Sequence, residues 1–366
     1  MLWVTKGYAT VEAVEATDHA AAVAKKSGAI AQLLFWLVLR GFNTMFSGDL
    51  TGASALADQA LELAPREGNS ASLGSAYNLK MQTGCFRGDL NGAEEHFANG
   101  LPFFGDPDLK QLPGTAQTAV FGVASWNAWM LGRIGLARKR ITEMLEMVNM
   151  SNPFEEAVSC VFSALLQIFL RDYEAAERRA VRAFELSERH QFQQLGGNAR
   201  IFLGYARAQL GHVDEGTALI RQGLSELVQT GVHLMRGQLM LFLAAAQERE
   251  GMTDDALATI DQAIKANSEE DVWRPEILRL RGELQLKLGL VELAEADFRE
   301  ALTLARSMSA KSWELRATMS LARLLRYMGR GEEAHAMLAE IYNWFTEGFD
   351  TGDLKAAKAL LDELAT

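Results

Sequence analysis

The stretch Gly329-Arg-Gly-Glu-Glu-Ala334-His-Ala-Met-Leu338-Ala-Glu-Ile341-Tyr342 decides the fold. A glycine closes one helix, polar residues turn the chain, and a second helix begins with a small residue five positions after the glycine. The same sequence pattern recurs toward the N-terminus roughly every 40 residues. Repeats of about 20 to 50 residues are typical of solenoids, in which each unit buries its apolar face against its neighbours. We therefore expect a chain of helical hairpins.

Eight turn positions set the register of this repeat. They are Gly48, Gly88, Gly132, Arg171, Gly211, Gly251, Gly289 and Gly329, at steps of 40, 44, 39, 40, 40, 38 and 40 residues. Glycine is favoured there because a helix commonly ends in a left-handed residue. Every position five after a turn is small, and every position nine or thirteen after it is apolar. This spacing of four indicates an amphipathic second helix.

Small residues also stand seven positions before the turns. Seven of these eight residues are glycine, alanine or serine; Gly204 and Ala244 are examples from two successive repeats. Small residues on both sides of a turn let two antiparallel helices approach closely, which is the tetratricopeptide pattern, although its usual period is about 34 residues. The predicted fold is all-α: a tetratricopeptide-like α-solenoid, a right-handed superhelix of about eight helical hairpins plus a C-terminal capping helix.

The register divides the chain into three predicted parts. Residues 1–28 would be a truncated half-repeat and its second helix, 29–349 the eight repeats, and 350–366 the capping helix. A solenoid that starts in mid-repeat exposes a stacking face, so we expect a longer solenoid or parent protein, and that uncapped N-terminal face is a candidate for homodimerisation. The long connection 101–115 carries three of the six prolines; long loops are usually binding elements or disordered.

Composition excludes several classes of protein. The net charge of −11 repels phosphate backbones, so no nucleic-acid partner is expected. The most apolar run, 29–39, is shorter than the roughly 20 residues of a membrane span, and no signal peptide precedes it. Cys85 and Cys160 stand in apolar surroundings and read as reduced, buried thiols. We therefore expect a cytoplasmic protein without a membrane partner.

No pattern of catalytic or metal-ligating residues appears. The six histidines are scattered over different repeats, and no His-Glu-x-x-His, close cysteine pair or Gly-x-Ser-x-Gly occurs. The segment 329–334 matches a dinucleotide fingerprint by letters alone, but it follows a helix instead of the strand that such a fingerprint needs. We expect no metal, no cofactor and no enzymatic activity.

The first helix of each hairpin should line the concave groove. Positions 13, 10, 6 and 3 before each turn then face a partner, and they are apolar in the N-terminal half and charged in the C-terminal half. The predicted partner-binding residues are Phe35, Phe42, Met45, Asn78, Trp126, Trp129, Leu165, Tyr205, Gln238, Glu276, Arg279, Arg316 and Arg323. An exposed apolar groove indicates a partner, and aromatic residues and arginine are frequent hot spots. The alternative is that superhelical curvature buries these residues internally.

Four segments carry a resemblance to a known family. They are Trp273-Arg-Pro-Glu-Ile-Leu-Arg-Leu-Arg-Gly-Glu-Leu284, Ala294-Glu-Ala-Asp-Phe-Arg-Glu-Ala301, Ser312-Trp-Glu-Leu-Arg-Ala-Thr-Met-Ser-Leu-Ala-Arg323 and Trp344-Phe-Thr-Glu-Gly-Phe-Asp-Thr-Gly-Asp-Leu-Lys355. The chain resembles the C-terminal tetratricopeptide-like region of bacterial multidomain signalling ATPases, adenylate/guanylate cyclases and related transcriptional regulators. The family's phosphate loop and cyclase segment are absent from this sequence. The resemblance therefore implies only sensing, regulation or protein contact.

Two functional hypotheses follow. The first is a non-enzymatic scaffold or sensor module for signal transduction that binds a protein or peptide in its concave groove. The second is a small-metabolite-sensing regulatory region of an ATPase or adenylate cyclase type of signalling protein. A thermal-shift screen distinguishes the two hypotheses, because only the second predicts that a metabolite raises the melting temperature of the protein.

Overall fold

The fold is an α-solenoid, seen in a computed structural model that describes residues 7–28, 30–68, 70–106, 109, 116–266 and 269–365. These residues form helices and connections without a β-strand. In chain order the α-helices are α1 (Val11–Ser27), α2 (Ile30–Phe46), α3 (Leu50–Glu67), α4 (Ser70–Phe86), α5 (Leu90–Phe104), α6 (Ala116–Met130), α7 (Ile134–Met147), α8 (Pro153–Leu170), α9 (Tyr173–His190), α10 (Gln193–Gln209), α11 (Val213–Gln229), α12 (Arg236–Arg249), α13 (Thr253–Ala266), α14 (Arg274–Lys287), α15 (Val291–Ser307), α16 (Lys311–Tyr327), α17 (Gly331–Trp344) and α18 (Gly352–Leu364).

The predicted register of hairpins is confirmed. Helices α2 to α17 pair in sequence across the eight predicted turns. Every turn residue has a positive φ, from 61° at Arg171 to 104° at Gly211. The seven alanines five positions after the turns are completely buried. Helix α18 packs against α17 and α16.

Helices α10 and α11 approach each other closely at the two small positions of one repeat. A Cβ built on Gly204 would lie 2.5 Å from the carbonyl oxygen of Gly216. Both residues are buried in their helices. Backbone against backbone leaves no room for a methyl group, which explains why both positions of this repeat are glycine.

The long connection after α5 differs from its prediction in part. Residues 101–104 belong to α5, which continues through Pro102 to Phe104. Leu109 is buried. Positions 107–108 and 110–115 lie outside the described residues, as do 1–6, which the predicted N-terminal half-repeat includes.

The second half of the solenoid folds back onto the first. The backbone N–H of His233 donates to the Phe46 carbonyl oxygen at 2.9 Å. The Ser312 hydroxyl donates to the Trp129 carbonyl oxygen at 2.5 Å, across 183 residues. The Gly135 N–H donates to Glu347 at 2.8 Å. We call this line of long-range contacts the seam; it converts much of the concave face into internal surface.

The apolar helix α8 is a core element of this arrangement. By length and composition it is the one described helix that could cross a membrane. It is, however, 72% buried within the protein. Its apolar character is accounted for by packing between its neighbours α6, α9 and α10.

Candidate functional site

The first helices of the hairpins enclose an apolar chamber in the N-terminal half. The chamber has a volume of about 330 Å3. Helices α2, α4, α6, α8 and α10 supply most of its wall, because each turns one side toward the superhelix axis. Its apolar lining includes Phe35, Val38, Phe42, Val123, Val161 and Phe162. Pockets of this kind accept apolar groups, since burial of apolar surface stabilises a complex by about 25 cal/mol per Å2.

Aromatic contacts hold the wall of the apolar chamber in place. The Trp126 ring packs on Phe162 at 4.7 Å between centroids, and its Nε1–H donates to the Phe162 carbonyl oxygen at 3.1 Å. Tyr8 stacks on Phe46 at 4.9 Å. Burial raises the pKa of Tyr8 to about 12, so its hydroxyl stays protonated at neutral pH. The wall is pre-formed and uncharged at these positions.

A few polar side chains interrupt the apolar chamber. The Gln82 amide donates to the Asn78 Oδ1 at 2.7 Å. The Asn78 Nδ2 and the Ser75 Oγ are buried, and neither makes a hydrogen bond within the described residues. Unsatisfied buried polar atoms carry a cost in free energy. Small shifts of these side chains would let a ligand carbonyl satisfy them.

A second chamber of about 230 Å3 lies in the C-terminal half, and we call it the arginine chamber. Helices α8, α10, α12, α14 and α16 contribute to its wall. Five arginines and four carboxylates line it: Arg171, Arg249, Arg279, Arg316, Arg323, Glu248, Glu276, Glu283 and Asp353. The lining therefore carries one more positive than negative charge, in a chain whose net charge is −11.

Glu276 is the centre of an ion-pair network in the arginine chamber. The guanidinium of Arg279 donates to both its oxygens, at 2.7 and 3.0 Å. Arg316 reaches it at 3.3 Å and donates to Asp353 at 2.8 Å. Burial opposes ionisation of Glu276, but Arg279 and Arg316 outweigh it and hold its pKa below the ordinary value. The network fixes these charges in one geometry.

Arg323 differs from the other arginines of the chamber. It makes no hydrogen bond or salt bridge with any described residue. Burial lowers its pKa; Glu283 opposes this shift, whereas Arg279 and Arg171 add to it. A guanidinium remains charged at neutral pH even so. Arg323 therefore presents unused donors to the chamber.

The two chambers are adjacent. On α10, Phe202 lines the apolar chamber and Tyr205 lines the arginine chamber. Three residues of helix correspond to about 4.5 Å along its axis. Phe242, in the arginine chamber, lies 6.1 Å from the Phe202 ring. The linings of the two chambers therefore adjoin each other at these residues.

The structure brings together ten of the thirteen predicted partner-binding residues. Four line the apolar chamber: Phe35, Phe42, Asn78 and Trp126. Six line the arginine chamber: Tyr205, Gln238, Glu276, Arg279, Arg316 and Arg323. The predicted change from apolar to charged lining thus corresponds to two separate chambers instead of one graded groove.

The other three predicted residues lie in the hydrophobic core, outside both chambers. Met45 and Leu165 are completely buried, and Trp129 is 2% exposed. Trp129 stacks on Phe169 at 4.6 Å and meets the edge of Trp313 at 4.7 Å. Trp129 lies at the seam, and Met45 and Leu165 belong to the same buried core cluster, so none of the three presents surface to a partner.

Sequence reasoning missed several lining residues. Tyr8 precedes the first helix and lies outside the repeat register, yet it lines the apolar chamber. Asp353 belongs to α18 and pairs with Arg316 and Arg171. Phe162 and Phe154 lie on the lining side of α8 but off the four positions of the register. The repeat pattern could have identified the helix of Phe162, but not the long-range pairing of Asp353.

Comparisons with known proteins support the fold and leave the family open. No protein-family model matches the sequence. An uncharacterised protein of Rhizobium meliloti (strain 1021) is 25% identical over 225 residues, which cover 59% of this chain. The match spans only 21% of that protein's length.

Solved structures with the same fold are helical repeat proteins. A Rap protein complexed with competence and sporulation factor has a TM-score of 0.58 at 10% identity, over 91% of this chain and 97% of its own. NprR in complex with its cognate peptide NprX has a TM-score of 0.52 at 11% identity, over 79% of this chain and 82% of its own. The APC/C hetero-tetramer Cut9–Hcn1 has a TM-score of 0.56 at 15% identity, over 96% of this chain and 59% of its own. The chain is thus a tetratricopeptide-like α-solenoid.

Proposed function

We propose that this protein is a non-enzymatic, peptide-binding scaffold or sensor module in signal transduction. The observation that carries the proposal is the pair of adjacent chambers, one apolar and one lined by arginines, on the inner face of a single solenoid. A peptide offers both chemistries within a short length of chain. An apolar side chain would enter the first chamber while its polar backbone or an acidic group reached the second.

The energetics favour a segment over a large folded partner. The seam leaves internal chambers instead of a broad open groove, so only a few residues of a ligand can enter. Apolar burial would supply most of the affinity, and fixed hydrogen-bonding groups would supply specificity. The ion-pair network is already formed, which reduces the ordering that binding would require.

The regulatory context rests on two supports. The sequence resembles the repeat region of bacterial signalling ATPases and cyclases, and two proteins of the same fold were solved with competence and sporulation factor and with a cognate peptide. Neither support assigns a ligand to this chain. We propose that it serves the same general role, with the rest of a larger signalling protein as the responding part.

Selection from a random peptide library against the purified protein tests this function. We expect enriched peptides to share an apolar residue and to bind wild type by isothermal calorimetry. Phe35→Ala together with Phe42→Ala should weaken binding at least tenfold, because both half-buried rings line the apolar chamber. Leu293→Ala is the matched control, since this 54% exposed residue lies outside both chambers.

Two results would overturn the proposal. Selected peptides that bind equally well to wild type and to the double variant would place their site elsewhere. Failure to select any peptide, together with stabilisation by a small metabolite in a thermal-shift screen, would favour the metabolite-sensing alternative. Homodimerisation through the N-terminal face stays a prediction, which light scattering of the purified chain would test.

A further inference from the structure

Resting on the proposed function, we infer that the arginine chamber is a carboxylate subsite, in which Arg323 binds a carboxylate of the peptide ligand. The subsite would place a carboxylate of the peptide in the arginine chamber and leave the apolar chamber for an apolar side chain. Its starting point is the inventory of charges and hydrogen bonds in the chamber.

The carboxylates of the chamber are already engaged. Glu276 accepts from Arg279 and Arg316, and Asp353 accepts from Arg316. Glu283 accepts from Arg279 at 2.5 Å. Glu248 is paired with Lys287, which lies outside the chamber lining. The acidic groups therefore already have hydrogen-bonded partners, and none of them bonds to Arg323, although the charge of Glu283 acts on it and opposes the lowering of its pKa.

Arg323 is the arginine of the chamber that has no hydrogen-bonded partner among the described residues. Its guanidinium has five N–H donors in a planar fork that matches a carboxylate, and none of them bonds to a described residue. Arg323 itself is exposed, and it lines the chamber together with Tyr205, Phe242 and Met319. The charge of the guanidinium makes its hydrogen bonds to an anion stronger than neutral ones even at an exposed position.

A second set of polar atoms is compatible with a ligand at this place. The Trp313 Nε1–H and the Gln238 Oε1 are buried in the chamber wall and have no hydrogen-bond partner among the described residues. They supply one donor and one acceptor beside the ion-pair network. Trp313 stands ten residues before Arg323 on α16, about 15 Å along the helix axis, so its N–H would meet a backbone carbonyl of the peptide several residues away from the carboxylate at Arg323.

The distance between the chambers fixes the arrangement of the ligand. Phe202 and Tyr205 are one helical turn apart on α10 and face different chambers. A peptide that enters both chambers would therefore place an apolar side chain in the apolar chamber and a carboxylate at Arg323. The carboxylate could come from the C-terminus of the peptide or from an aspartate or glutamate side chain.

Three sets of acetylated random heptapeptides distinguish these sources. The first has a free C-terminal carboxylate and lacks Asp and Glu, the second is its C-terminal amide, and the third is an amide set that contains Asp and Glu. Each set is passed over the immobilised protein, and bound peptides are quantified by mass spectrometry. We expect wild type to enrich the first or the third set about tenfold over the second, the order expected for charge-assisted hydrogen bonds.

The Arg323→Gln variant should abolish this preference, and added salt should reduce it. Arg326→Gln is the matched control on the same helix, because Arg326 is paired with Glu363 and does not line the chamber. Equal enrichment of all three sets by wild type overturns the carboxylate subsite while peptide binding stands. A preference that survives in Arg323→Gln also overturns it. Enrichment of no set overturns the proposed function and the subsite with it.

Discussion

Replacing Trp313 by alanine should destabilise both halves of the solenoid at once. The side chain is 1% exposed. Its ring lies 4.7 Å from Trp129 and 5.9 Å from Phe169, and the Arg316 guanidinium lies 5.1 Å from its centroid. Truncation of a buried tryptophan costs about 3–5 kcal/mol. The pairs of Trp313 with Trp129 and with Phe169 contribute about 0.5–1.5 kcal/mol each, so roughly 1–3 kcal/mol of that loss comes from contacts across the seam.

Hydrogen exchange measured by mass spectrometry separates the two parts of this loss. Exchange should accelerate in α16, which carries Trp313, and also in α6, which carries Trp129 almost 200 residues earlier in the chain. For α6 the single pair with Trp129 accounts for about 0.5–1.5 kcal/mol, which corresponds to about 2- to 13-fold faster exchange by local opening. Urea unfolding followed by circular dichroism gives the total loss of stability.

Tyr327→Ala is the matched control, because Tyr327 closes the same helix and is 80% exposed. Its effect on stability should stay within about 0.5 kcal/mol. The reasoning would be refuted if Trp313→Ala accelerated exchange in α14 to α18 alone. That result would mean that the seam contributes nothing to stability in solution, and that the chambers are not closed by it.

Three further predictions concern packing, pH and binding. Gly204→Ala should destabilise by about 1–3 kcal/mol, because its methyl group would meet the Gly216 carbonyl; Gly331→Ala, which meets nothing within 4 Å, is the control in the same urea titration. Burial opposes ionisation of Glu94, but its hydrogen bond and ion pair with Arg140 hold its pKa below the ordinary 4.5. Stability from this pair is fully present above that value and is lost as pH falls through the lowered pKa. Thermal melts of Glu94→Gln from pH 7 to 3 should therefore show a weaker acid destabilisation than wild type, and an unchanged slope would contradict the assignment. In calorimetry, Phe35→Ala combined with Phe42→Ala should weaken peptide binding at least tenfold without loss of helix content; unchanged affinity would exclude the apolar chamber as the site.

The sequence by itself determined the repeat and the approximate chemistry of its inner face. The turn register depends on local requirements: a residue that tolerates positive φ, and small residues where two helices touch. Both requirements can be read from neighbouring positions, and Gly204 and Gly216 show the same logic in atomic contact. The register also identified the first helices as the lining, so most of the predicted residues came together in the two chambers.

Only the tertiary structure decided that the groove is closed and divided. Superhelical curvature is the sum of small rotations between hairpins, and no single repeat encodes that sum. It returns Ser312 and Trp313 to Trp129, and it buries Met45, Trp129 and Leu165 in the core. Partners this far apart in sequence follow no local period. The sequence therefore indicates which side of each helix faces inward. The accumulated curvature determines which of those inward-facing residues remain available to a ligand.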